Sequence, residues 1–456
     1  LVTNSRNTKS SVSAAGGRVG RELNVLLFGL PDRVDGLGQA LESFSLSARA
    51  IRADSPPARA PRHWACSVIL ADNDSEVEAG LVALREFAPG RRPVIVVHPD
   101  TLSDNAAVDS WIREPTLPVQ IAARIRALAR LHSMEEVAKR RTAVTALYGD
   151  RGRNLDPVDP TPCVLYVGDA SPRFMALQHI LKGADAEVIG AFSSYSAFDY
   201  LHERPFDAVV LNAAGKRDVA FTISSAMRRN ARLYHTPVLL MGGDEDSQSA
   251  DEAYARGVSD IISPNASDEE MRDRILALAA ERRRRRRAKA ALEACREPRT
   301  LDIETGLFHA AFVTSHLQDL IHAAARDEIS LSVLALKVVS PLADDGADAS
   351  ATEKARRQFA AMLRHLLRTE DAAARIGPDT FLAILPFTDR SGIDCVATRV
   401  AAIADCTAFE SEDPLQPFRL SVLSASVELR PDESAESLIE RAVQKLQRND
   451  PLAALA

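Results

Sequence analysis

The sequence has no long hydrophobic run, no cysteine framework and no excess of positive charge. No apolar stretch approaches the ~20 residues that a membrane-crossing helix needs. Residues 1–20, rich in Ser, Asn, Thr, Gly and Arg, contain no hydrophobic segment of the signal-peptide kind and read as a disordered tail. The five cysteines, Cys66, Cys163, Cys295, Cys395 and Cys406, are odd in number, scattered and without metal-ligand spacing. That pattern points to reduced thiols rather than to disulfides. A formal net charge of −7 argues against a general nucleic-acid binder. The expectation is a soluble cytoplasmic protein with no membrane insertion, no nucleic-acid partner and no metal site.

What is present is ordinary globular material in quantity. With 456 residues, 46% of them hydrophobic, the chain can form about three cores at roughly 100–200 residues each. Val25–Phe28, Ser67–Leu70 and Val94–Val97 are short, bounded, β-branched-rich runs, as buried parallel strands should be. A second set follows at Val164–Val167, Ala208–Leu211 and Val238–Met241, displaced by 139, 141 and 144 positions. Each set closes on a similar helix, Ala123–Ala129 and Asp273–Ala279. Alternating strands and helices imply parallel sheets covered on both faces, here in two duplicated α/β units. The expected organisation is a tail at 1–20, units at 21–140 and 161–290, linkers at 141–160 and 291–300, and a third domain at 301–456. The joining segments read as helical, with Ile121, Ile125, Leu128 and Leu131 along one face and Met271, Ile275 and Leu278 repeating the pattern. Six arginines, Arg282 to Arg287, continue the second of these helices. They read as a solvated helix end, as a basic patch, or as groups approaching an anionic nucleotide on the neighbouring domain.

The order and spacing of the two units resemble response-regulator receiver domains. Phosphorylation in such domains needs an acidic pair for Mg²⁺, an acceptor Asp, a hydroxyl and a Lys. In the first unit Asp72 stands at the acceptor position and is a candidate phospho-acceptor, the alternative being a solvent-facing Asp at a strand end. The acidic pair is replaced by Gly29-Leu30, the hydroxyl by His98 and the Lys-Pro by Glu114-Pro115. In the second unit Asn212 replaces the acceptor, and an amide cannot serve as the nucleophile. Gly168-Asp169 keeps half the acidic pair, Gly242 lacks the hydroxyl, and Ser263-Pro264 replaces Lys-Pro. The resemblance implies an adaptor that keeps its surfaces, with homodimerisation through receiver domains.

In the third domain Asp302-Ile-Glu-Thr-Gly-Leu307, then Arg368-Thr-Glu-Asp371, then Gly377-Pro-Asp-Thr-Phe381 resemble the GGDEF domains of diguanylate cyclases. Arg368 precedes Gly377 by nine residues, the family's distance between its R-x-x-D and its signature hairpin. The family's catalytic pattern departs here at several points. His309-Ala310 replaces a substrate-binding Asn-Arg. Lys337-Val338-Val339 replaces the Asp-x-Asp that holds two Mg²⁺, and a cation there opposes metal binding on charge alone. No guanine-reading Asn is found in Ala343–Ser350. Pro378 fixes φ and deletes an N–H, Thr380 replaces a metal-binding Glu, and Asp450 aligns with a phosphate-binding Lys.

The fold class expected is α/β: two CheY-like doubly wound receiver domains plus a GGDEF (nucleotidyl-cyclase-like α/β) domain. The whole resembles a degenerate member of the PleD-type receiver–receiver–GGDEF family. What the resemblance implies is no enzymatic activity and a cyclic di-GMP site at Arg368, Asp371 and Arg399. Arg368 would meet guanine O6 and N7, Asp371, one turn later on the same helix end, would accept from N1–H and N2–H₂, and Arg399 on the next helix would be the second arginine. The bland alternative for Arg368 and Asp371 is a surface salt bridge. The implied role is a receptor and protein-recruitment scaffold at a cell pole. It would deliver cell-cycle regulators through proteolytic adaptors to a ClpXP-type protease. The rival readings are a phosphorylation-controlled diguanylate cyclase and a constitutive scaffold independent of nucleotide.

Overall fold

The structure is a computed structural model that describes residues 23–52, 64–87, 92–100, 107–149, 161–242, 247–327, 330–340, 349–409 and 417–450. The tail expected at 1–20 lies outside these residues, as does most of the Ala343–Ser350 segment. Three sheets of five strands each organise the chain.

The first unit contains β1 (Leu23–Gly29), α1 (Pro31–Glu42), β2 (Leu46–Arg52), β3 (Cys66–Leu70), α2 (Asp74–Phe87), β4 (Val94–His98), β5 (Ser110–Arg113) and α3 (Pro118–Thr145). Its strands are all parallel in the order β2-β1-β3-β4-β5. The second unit repeats this more completely, with β6 (Cys163–Val167), α4 (Pro172–Lys182), β7 (Glu187–Ala191), α5 (Ser194–Glu203) and β8 (Ala208–Asn212). It continues through α6 (Arg217–Arg229), β9 (Val238–Met241), α7 (Ser247–Ala255), β10 (Asp260–Ile262) and α8 (Asp268–Ala294), in the order β7-β6-β8-β9-β10. Both sheets have the doubly wound 2-1-3-4-5 order found in flavodoxin and CheY. All six strand runs expected from the sequence lie inside β1, β3, β4, β6, β8 and β9.

The third unit has β11 (Phe308–His309), α9 (Ala310–Asp327), β12 (Leu331–Val339), α10 (Ala349–Leu366), β13 (Ala372–Arg375), β14 (Thr380–Pro386), α11 (Arg390–Cys406), β15 (Ser421–Glu428) and α12 (Ala435–Arg448). Its sheet, β11-β13-β14-β12-β15, places β12 antiparallel to both β14 and β15. Side chains alternate along β12, so Leu334 and Leu336 join Phe359 and Phe381 on one face. Val333 and Ala335 join Phe312 and Leu317 on the other, as a sheet covered on both faces requires.

Two long helices join the units. Both expected boundaries fall inside them: α3 runs past residue 140 to Thr145, and α8 runs past 290 to Ala294. Pro118 opens α3, where a missing N–H costs nothing. Ser267 caps α8 by accepting from the Glu270 amide, with three carboxylates in the first turn. The apolar stripe of α3 serves three cores in succession. Ile121, Ile125 and Leu128 belong to the first unit. Met134, Val137 and Ala138 pack on Ala288 and Leu292 of α8. Val144 enters the core of the third unit.

Near its end α3 carries Arg141, only 2% exposed. Its guanidinium donates to the carbonyls of Thr369 (3.1 Å), Glu370 and Asp371 (3.1 Å), and lies 5.4 Å from the centre of the Phe308 ring. Three carbonyls of the third unit thus depend on one side chain of the first unit's helix. Replacing it leaves several buried acceptors unpaired, at about 1–3 kcal/mol each. Arg141→Met should therefore lower global stability by ~3 kcal/mol or more, measured by urea unfolding.

Candidate functional site

Arg368 and Asp371 lie in the turn between α10 and β13, not on a helix end as their spacing suggested. The Asp371 amide donates to the Arg368 carbonyl at 3.1 Å, and Asp371 Oδ2 accepts from the Arg368 amide at 2.8 Å. The motif is a closed turn in which the carboxylate caps the backbone of its own arginine. Asp371 is buried, and its Oδ1 has no hydrogen-bond partner among the described atoms. Glu370 beside it is 3% exposed and pairs with Arg130 of α3 at 2.5 Å. An Arg368–Asp371 surface salt bridge is not what the turn contains.

The Arg368 side chain lines a cavity of about 830 Å³ where all three units meet. From α3 come Arg124, Arg126 and Arg130; from the second sheet unit, Arg228, Arg229 and Arg256; from α8, Arg282 and Arg285. With Arg368 this makes nine arginines, against one lining carboxylate, Glu281, which is already paired with Arg124 at 2.9 Å. Burial first, with Arg368 among the nearby cations, pushes the Arg130 guanidinium down. Burial and then Arg286 and Arg285 do the same to Arg282, and burial and then Arg130 to Arg285. Burial, helped by Arg282, takes Arg228 down to about 10. A cavity with this charge balance attracts anions electrostatically.

The arginine run is therefore not a solvated helix end. Arg284 forks onto Glu135 (2.8 and 2.7 Å) and reaches Asp109 at 3.1 Å, while Arg286 pairs with Asp207 at 3.1 Å. These contacts fasten α8 to the first unit and to its own sheet. Arg282 and Arg285 are left facing the cavity. Arg399 is exposed on α11 and donates to the Leu366 carbonyl at 2.8 Å. It sits at the α10 end from which the Arg368 turn departs, but it does not line the cavity. Sequence reasoning missed Arg130, Arg228, Arg229, Tyr234 and His235, because no local spacing marks residues that converge from three units.

The other singled-out residues are tied internally. Arg33 donates to both Asp72 and Glu114, so a guanidinium occupies the acceptor pocket of the first unit. A Cβ added at Gly29 would lie 2.8 Å from the Leu70 carbonyl, so the backbone leaves no room for an acidic side chain there. Asn212 donates to the Tyr166 hydroxyl (2.9 Å), and Lys216 pairs with Asp169 at 2.6 Å. In the third unit Lys337 Nζ lies 2.6 Å from Asp450 Oδ2 and 3.9 Å from Asp379 Oδ2. An ammonium so placed does not fit a divalent metal, and among the described residues no cluster of three or more His, Cys, Asp or Glu could hold one. No described helix is long and apolar enough to cross a membrane.

Burial first, and then the Glu370 charge, raise the Asp371 carboxyl to about 7 from its ordinary 3.8. A carboxyl raised on folding binds its proton more tightly in the native state. Its contribution to stability is complete below pH ~4 and is lost as pH rises through about 7. Wild-type protein should lose stability between those limits, and Asp371→Asn should flatten that part of the profile. Thermal unfolding from pH 5 to 8 for both proteins measures this.

Residues 299–451 match the family described as diguanylate cyclase, GGDEF domain. Response regulator PleD of Caulobacter vibrioides is 24% identical over 242 residues, covering 52% of this chain and 53% of that protein. The chain thus matches about half the length of its curated relatives. Among solved structures, the GGDEF domain of DgcB from Caulobacter crescentus in complex with c-di-GMP is 19% identical. It covers 34% of this chain and 88% of that one, with a TM-score of 0.32. The FimX GGDEF domain from Pseudomonas aeruginosa is 14% identical and covers 34% and 95%, with a TM-score of 0.31. The chain carries a GGDEF domain behind two parallel-sheet α/β units and is distantly similar to the response regulator PleD.

Proposed function

We propose that the chain is a cyclic di-GMP receptor, a PopA-like member of the PleD-type family whose cyclase site no longer works. The observation that carries this reading is the three-unit cavity in which nine arginines, Arg368 among them, face one already paired carboxylate. In the GGDEF family the R-x-x-D turn holds cyclic di-GMP as a stacked dimer with four phosphate charges, and this cavity supplies cations in that number and more. Arg368 offers two parallel donors to guanine O6 and N7. Asp371, closed inward in the described conformation, would reach guanine N1–H only if the turn opened, so its role is to fix the Arg368 backbone. Arg399 supports the same turn from α11.

Loss of catalysis is supported by charge. GTP chemistry of this class requires metals between carboxylates. Here Lys337 takes Asp450 and approaches Asp379, and Thr380 offers no carboxylate. The first two units are receiver folds kept for their surfaces, with Asp72 held by Arg33 rather than poised for phosphorylation. Ligand in the cavity would touch all three units and so select one arrangement of them, exposing or completing a surface for protein partners. The face formed by α7, β10 and α8 is already covered by α3 of the same chain. A homodimer through these units would use another edge. The polar location, the proteolytic adaptors, the cell-cycle cargo and the ClpXP-type protease are implied by the family resemblance alone.

Calorimetric titration of cyclic di-GMP into the purified protein tests the reading. Wild type should bind at about micromolar Kd or tighter, more weakly as salt rises, and Arg368→Ala should bind at least ~10-fold more weakly. Incubation with GTP and Mg²⁺ should yield no cyclic di-GMP. Product formation would restore the cyclase reading, and absence of binding would leave a scaffold independent of nucleotide.

A further inference from the structure

Apart from Arg368, the arginines would make the cavity a trap for any polyanion, so selection of a nucleotide calls for a further group that reads the face of a base. We propose that Tyr234 and His235, on the loop between α6 and β9, form an aromatic platform on which a guanine base stacks. This rests on the receptor reading above and assigns the residues that give it purine selectivity. Both side chains line the cavity, and Tyr234 is 42% exposed. Their rings lie 4.9 Å apart at 89°, so the ring that contributes its edge keeps both faces uncovered by its neighbour.

The loop that carries them is held in place before any ligand arrives. Arg228 Nη1 donates to the carbonyls of Tyr234 (2.6 Å) and Thr236 (2.9 Å), and its Nε donates to the Gly257 carbonyl at 2.8 Å. The Tyr234 amide donates to the Asn230 carbonyl at 2.8 Å. A cavity-wall arginine therefore orients the platform, and little ordering cost remains for binding. Burial first, and then Arg285, Arg282, Arg130 and Arg228, push the His235 imidazole down to about 3. The ring is neutral across the physiological range and offers a π face where a protonated imidazole would add one more repelling cation. The remaining aromatic group of the wall, Tyr254, turns its hydroxyl to Asp260 at 3.5 Å and belongs to the junction of the first two units. Among the described residues Tyr234 and His235 have no such tie, which suits them to a ligand.

Titrations with two probes, cyclic di-GMP and base-free tripolyphosphate, separate base recognition from charge. Base–aromatic stacking predicts that Tyr234→Ala and His235→Ala each weaken cyclic di-GMP binding about 10-fold or more. Tyr234→Phe should keep wild-type affinity, and the affinity for tripolyphosphate should be the same in all four proteins. Cyclic di-GMP affinity unchanged in both alanine variants would overturn the platform and leave the receptor reading standing. Equal losses toward both probes would also overturn it, showing a general disturbance of the cavity. No cyclic di-GMP binding by wild type would remove the receptor reading itself, and the platform with it.

Discussion

The arrangement of the three units depends on one helix and one buried cation. Helix α3 starts in the core of the first unit and ends in the core of the third, and Arg141 fixes its far end by holding three consecutive carbonyls of the R-x-x-D turn. The buried guanidinium is held by carbonyl oxygens and the Phe308 ring, and moving it would leave it and those carbonyls unpaired at a cost. This makes the contact specific to one register of helix against turn. A slip of α3 by a single residue would turn Arg141 away from those carbonyls and Arg130 away from Glu370 at the same time. The position of Arg368, and so one wall of the cavity, is set by a helix that belongs mostly to another unit.

The cavity is a region of repulsion enclosed by attractions. Around it Arg284 grips Glu135 and Asp109, Arg286 grips Asp207, Arg124 grips Glu281, and Arg274 grips Asp260. These pairs are partly or wholly buried, so they resist screening better than surface pairs would. Inside the ring, arginines from three units line one cavity, and burial and then neighbouring arginines push the guanidinium groups of Arg130, Arg282 and Arg285 down. Neutralising them would favour closer approach of the units, and by linkage whatever favours close approach would favour the anion. Occupancy of such a cavity would be reported through the relation between units.

Much of the scaffold was legible in the sequence because burial leaves a period. The runs Val25–Phe28, Ala208–Leu211 and Val238–Met241 are apolar because both faces of their sheets are covered. The stripes on α3 and α8 followed the helical repeat for the same reason. The boundaries were less legible, since a helix passing from one core to another shows no break in periodicity at residue 140 or 290. The motif spacing of Arg368 and Asp371 located the turn but misplaced it on a helix, because an i, i+3 pair fits either a helix or a closed turn. The cavity itself could not be read, as Arg130, Arg228 and Arg285 meet only through tertiary structure. The run Arg282 to Arg287 gave an ambiguous signal: packing puts Arg284 and Arg286 in ion pairs and Arg282 and Arg285 at the cavity, a division that no local spacing marks.

A shared pattern links the three places where the chain departs from the motifs it resembles. In the first two units a protein cation sits against a carboxylate that the resemblance would assign to metal or phosphoryl chemistry, and in the third a lysine stands in place of the Asp-x-Asp itself. Arg33 meets Asp72 and Glu114, Lys216 meets Asp169, and Lys337 meets Asp450. A carboxylate cluster without metal repels itself, and losing the metal function without compensation would leave that repulsion in the fold. Replacement by Lys or Arg removes the repulsion and fixes the local geometry without any dependence on metal supply. The exchange has a direction, because a cation tethered to the chain is present at far higher effective concentration than a dissolved one. Once it is in place, reacquiring metal requires removal of the cation and not merely return of a ligand. Around Arg368 the described cavity wall carries more arginines than carboxylates, even with Arg124, Arg130 and Arg256 paired, and an anion from outside the chain would complete that balance.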